Sequence, residues 1–158
     1  MPTAPVLHPD LEALAVLLGE WQGVGRGGFP TIDDFEYREE TRFGHLGKPY
    51  LTYSQSTWRL PAGEVVHGEV GFWRPQPGGR VELVVAHPSG VVEVGEGTVR
   101  AGHIELASTT VAGTGSAKEV TEIRRVVDVS EDTLRYRLEM AAVGQSLGFH
   151  LEAELYRT

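Results

Sequence analysis

From Gly19 onward the chain alternates apolar and polar residues with a period of two, and Gly, Pro and Asp punctuate that alternation roughly every eight to twelve residues. This is the pattern of short antiparallel strands. Thr133 to Met140 is the clearest case: Leu134, Tyr136, Leu138 and Met140 share one face, and Thr133, Arg135, Arg137 and Glu139 the other. Arg80 to His87 repeats it, with Val81, Leu83, Val85 and His87 together. Ten strands follow from the pattern, at about 20–28, 35–44, 49–59, 64–73, 80–87, 91–99, 102–111, 119–129, 133–140 and 149–157.

Only one helix interrupts this reading. Leu11, Leu14, Ala15, Leu17 and Leu18 recur at helical spacing, Asp10 stands in capping position, and Gly19 ends the run. The helix reads as a plug or lid. So many short strands with one helix leave a sandwich or a closed barrel, and the barrel removes exposed edges without extra covering elements. The expected fold is all-β: a ten-stranded antiparallel up-and-down barrel with a short N-terminal helix. Residues 1–8 form a tail and 9–158 one barrel domain, a size that suits a single core. A barrel of this strand number is wide enough for one small ligand.

Composition narrows what that ligand is. The net charge of −8 disfavours phosphate backbones, so nucleic acid is not an expected partner. The absence of cysteine removes disulfides, thiol nucleophiles and thiolate-ligated metals, and it leaves the six histidines as the natural soft-metal ligands. No apolar run reaches membrane-spanning length and the first residues lack the features of a signal peptide, so a cytoplasmic location with no membrane partner is expected.

The stretch from Gly19 to Pro30 places glycine at every second residue through Gly23, Gly25 and Gly27. Such a stripe permits sharp coiling of a strand, or close approach by a backbone or a flat ligand. No Lys or Ser/Thr follows in phosphate-loop spacing. The motif Gly19, Trp21, Gly23, Gly25, Gly27, Phe29 and Pro30 resembles the opening signature of the nitrobindin family, with Phe29 where the family often carries tyrosine. Phe43–Pro49, Val66–Pro75, Ser89–Val94 and Phe149–His150–Leu151 look like later segments of the same family, in the same order.

The resemblance implies a calycin- or lipocalin-like barrel holding one haem b per chain near its mouth, with ferric iron. It further implies binding of nitric oxide and isomerisation of peroxynitrite to nitrate. His150 matches the axial iron ligand and is the expected catalytic and metal-binding residue. Thr31 and Ile32 match a pocket-lining pair, and Val66, His67 and His87 match further pocket positions. Met140, on a buried face, is expected to pack against the porphyrin, and Lys118 offers a charge to a propionate unless it is simply a solvated loop lysine.

Strict alternation opposes the role of His150, because it shares parity with Glu152 and Glu154 while Leu151, Ala153 and Leu155 form the apolar face. Either of two features would resolve this: a bulge at Gly148 that re-aims one side chain, or a strand that begins at the barrel mouth, where the edge of the haem would emerge. Two other functions fit the same barrel: a non-enzymatic carrier of a lipophile, and a haem-based nitric oxide sensor. A carrier needs inward arginines to hold a carboxylate, and adjacent Arg124 and Arg125 cannot both point inward. Small molecules are the expected partners, with a homodimer left open.

Overall fold

The computed structural model describes all 158 residues. A 3₁₀ helix, Pro9–Leu17, precedes ten strands: β1 (Gly19–Phe29), β2 (Ile32–Gly44), β3 (Leu51–Arg59), β4 (Val65–Gln76), β5 (Arg80–Ala86), β6 (Val91–Arg100), β7 (His103–Gly113), β8 (Val120–Val129), β9 (Thr133–Ala142) and β10 (Gly148–Arg157). Every pairing is antiparallel between neighbours in sequence, and β1 pairs with both β2 and β10 to close the barrel. All ten expected strands are present. No helix is long and apolar enough to cross a membrane.

The helix departs from its expected form. Its N-terminal cap is His8, whose Nδ1 accepts the Asp10 N–H at 3.1 Å, so Asp10 is not the cap. Winding at three residues per turn stacks Leu11, Leu14 and Leu17 in one stripe, and all three are fully buried against the barrel. Each such leucine contributes roughly 1.5–3 kcal/mol by leaving water. Below them Trp21 donates its indole N–H to the Leu17 carbonyl at 2.8 Å. Arg157 lies over the same indole at 4.2 Å and donates to the carbonyls of Val16 and Leu18, the former at 2.9 Å. Helix, tryptophan and arginine together seal one end of the barrel.

The glycine stripe of β1 faces inward, but protein covers it. A Cβ on Gly25 would sit 2.4 Å from the Tyr37 ring, and one on Gly27 would sit 2.4 Å from Phe35. On Gly23 it would meet the backbone of Glu154 in β10. The stripe therefore serves tight coiling against β10 and seats two aromatic rings from β2.

Candidate active site

The open end is where β1, β3, β5, β7 and β9 finish and the even strands begin. Antiparallel topology brings Thr31, Ile32, Val66, His67, His87, Lys118, Met140 and His150 to this one end. The end is also irregular. Register shifts interrupt the β1–β2, β3–β4, β8–β9 and β9–β10 pairings near it.

One of these shifts decides the orientation of His150. On β10, Phe149 opposes Glu139 and Leu151 opposes Leu138, leaving His150 as the extra residue of a bulge. Phe149 consequently stays on the outer face, where the guanidinium groups of Arg26 and Arg137 lie 4.7 and 4.9 Å from its ring centre. Outward alternation resumes at Glu152, which pairs with Arg26 at 2.5 Å. His150 itself is half-buried, edge-on to Phe29 with ring centres 5.7 Å apart. Its Nδ1 lies 3.0 Å from the Gly28 carbonyl. A carbonyl only accepts, so Nδ1 carries the proton and Nε2 keeps a bare lone pair. Burial lowers the His150 pKa against the opposing pull of the Gly28 carbonyl, which favours this neutral form.

A second imidazole pair lies deeper. His67 Nε2 and His87 Nδ1 are 2.9 Å apart, and His87 Nε2 is 2.9 Å from Glu93 Oε1. Glu93 is ionised: burial opposes its charge, but Arg125 and the His87 hydrogen bond outweigh it and lower the pKa. The carboxylate accepts from the Nε2–H of His87, so when His87 carries that one ring proton its Nδ1 accepts from the Nε2–H of His67. Burial lowers the His67 pKa against the opposing pull of the Glu69 carboxylate, and the neighbouring Arg125 guanidinium adds to the lowering.

Beneath the imidazoles sits a buried ionic network that sequence reasoning did not assign. Arg125 is 8% exposed and donates to Glu69 at 2.6 and 3.2 Å, and to Glu93. Tyr53 donates at 2.6 Å to Glu69 Oε2, the oxygen that also accepts the longer of the two Arg125 bonds. Burial resists ionisation of Glu69, yet the guanidinium prevails and holds the carboxyl down at about 2. Glu39 lies further in, where Gln55 and Tyr136 donate to its Oε1 and burial pushes its pKa up to about 7. Glu39, Thr41, Trp73 and Arg125 all line a small cavity of about 30 Å³. Glu39 Oε2, Thr41 Oγ1, Trp73 Nε1 and Arg125 Nε are all buried without a protein partner, so this cavity suits one or two bound waters.

The signal for these residues lay in parity. Glu39 shares its face with Tyr37 and Thr41, Glu69 with His67 and Trp73, Glu93 with Val91, and Arg125 with Ile123 and Val127. Four charges on inward positions mark an internal network rather than a plain apolar core. The expectation that Arg124 and Arg125 cannot both point inward agrees with the structure, because Arg124 is exposed. Lys118 is an exposed loop residue, and Thr31 is exposed in the β1–β2 turn. Ile32 and Val66 are exposed apolar residues at the rim, and Met140 is half-buried.

Residues 10–157 match the family described as the THAP4-like, heme-binding beta-barrel domain. The chain belongs to that family. It is 51% identical over 162 residues to a protein named peroxynitrite isomerase 1 from Mycolicibacterium paratuberculosis, covering 99% of each chain. It is 46% identical to a peroxynitrite isomerase from Nocardia farcinica, covering 96% of this chain and 92% of that one. Among solved structures, that of Rv2717c from M. tuberculosis superposes with a TM-score of 0.91 at 46% identity, covering 97% of this chain and 99% of that one.

Proposed function

We propose that the open end of the barrel holds one haem b, ligated by His150 Nε2, and that the loaded protein isomerises peroxynitrite to nitrate. The observation that carries this reading is the bare Nε2 of a half-buried, bulge-presented imidazole whose other nitrogen is fixed by the Gly28 carbonyl. A haem-ligating histidine needs such an outer partner to set its tautomer and raise its basicity. The rim fits an apolar planar group, since Ile32 is 47% and Val66 36% exposed beside this imidazole's end of the barrel. The names of the relatives support the reaction.

His150 would hold the iron of a ferric haem there, and that group would supply Lewis acidity toward nitric oxide or peroxynitrite. The protein's own residues do the rest. His150 orients and electronically tunes the site through Gly28. His67 is held in one tautomer by the His87–Glu93 chain, which keeps a fixed N–H and lone-pair pattern under the mouth. Ile32, Val66 and Met140 supply apolar contact that limits competing solvent.

Stopped-flow decay of peroxynitrite tests the proposal, with hemin-loaded wild-type protein and His150→Ala compared at equal haem. The wild-type protein is expected to accelerate decay and to raise the nitrate yield, and the variant to do neither. Equal rates and equal nitrate yields for the two proteins would remove the assigned role.

A further inference from the structure

We propose that His67, Glu69 and His87 form a binding site for a divalent transition metal of the zinc class, separate from the iron position assigned to His150. The three side chains come from neighbouring strands: His67 and Glu69 stand two residues apart on the inner face of β4, and His87 directly follows β5, which pairs with β4. Their ligand atoms lie within 4.8 Å of one another. His67 Nε2 and His87 Nδ1 are 2.9 Å apart, and His87 Nδ1 is 3.7 Å from Glu69 Oε1. Zinc–ligand bonds of about 2.0–2.1 Å place neighbouring donor atoms roughly 3–3.5 Å apart, so small side-chain rotations bring the set to metal geometry. Two imidazoles and one carboxylate form a three-ligand set that leaves one position open.

The surroundings are those of a prepared metal site. The far nitrogen of His87 is held by Glu93 at 2.9 Å, the carboxylate–histidine arrangement that orients a metal-ligating imidazole. Glu69 is oriented in turn by Tyr53 and Arg125. Glu69 and Glu93 bring two carboxylates to the cluster against the single guanidinium of Arg125, an excess of acceptor charge that favours a cation. Binding replaces the hydrogen bond between the imidazoles, and the His67 proton moves from Nε2 to Nδ1, so no proton is lost. Nitrogen donors favour zinc, cobalt or copper over magnesium and calcium. Glu93 is a positioning residue in this site and not a ligand.

The test uses the full-length chain, freed of haem and treated with chelator, titrated with Co²⁺ and then with Zn²⁺ at pH 7.5. The expected result is one equivalent of Co²⁺ with the intense visible bands of a four- or five-coordinate ion, displaced by Zn²⁺. His87→Gln and His67→Ala should weaken binding at least about 100-fold, and Glu93→Gln about 10–100-fold. His103→Ala is the control, because His103 with Asp128 and Glu105 makes the other histidine–carboxylate cluster, on the surface. It should leave binding unchanged. Failure of the wild-type protein to bind, or binding that survives His87→Gln and disappears in His103→Ala, would overturn the proposal. Neither outcome bears on hemin binding, so the iron assignment is judged separately.

Discussion

Replacing Glu39 by glutamine should remove most of the alkaline loss of stability of this barrel. The Glu39 carboxyl is fully buried and its pKa stands near 7, against an ordinary value of 4.5 in the unfolded chain. A group whose folded pKa is raised contributes stability that is complete below pH 4.5 and is lost as pH climbs to 7. Two and a half units at 1.36 kcal/mol each give about 3 kcal/mol, with little further change above pH 7. Glutamine mimics the neutral acid: its carbonyl still accepts from Gln55 and Tyr136, and its amide takes the place of Oε2 beside the cavity. Urea unfolding followed by tryptophan fluorescence at pH 4.5 and pH 8 reads the effect. Wild type and Glu39→Gln should match within about 1 kcal/mol at the lower pH, and the variant should lead by about 2–3 kcal/mol at the higher. A stability gap that is the same at both pH values would refute the claim that Glu39 is held neutral by burial.

Four more outcomes rest on the same geometry. Arg125→Met should cost roughly 3–5 kcal/mol in urea unfolding at pH 7, because it removes the guanidinium shared by two buried carboxylates and leaves Glu69 and Glu93 with only their hydrogen bonds to Tyr53 and His87. Wild-type stability from Glu69 should be present above pH 4.5 and be lost as pH falls toward 2, and this acid limb should shrink in Arg125→Met. Gly97→Ala should unfold the barrel at a temperature many degrees lower, since its Cβ would lie 1.7 Å from the Glu105 carbonyl oxygen, a backbone atom with no room to move. Haem retention, measured by Soret absorbance, should persist as pH falls through 6.5, because burial keeps His150 neutral below that value.

The strand framework was legible because alternation and turn residues are local signals, and each strand of this barrel pairs with the next in sequence. The inward face holding Val81, Leu83 and Val85 followed the same logic. The helix was misread in its geometry because Leu11, Leu14 and Leu17 fit both helical periods, and barrel packing selected the three-residue turn. The His150 bulge shows in no residue pattern, and parity alone turns that ring outward. Glu39, Glu69, Glu93 and Arg125 were readable as inward positions, but their pairing joins strands far apart in sequence, which alternation cannot reveal.

The iron-ligating role proposed for His150 is tested most directly by titrating the haem-free protein with hemin while recording the Soret band, alongside His150→Ala. A band that saturates at one equivalent in the wild type, and that weakens and shifts in the variant, is the predicted result. Identical titrations and identical spectra for the two proteins would contradict it.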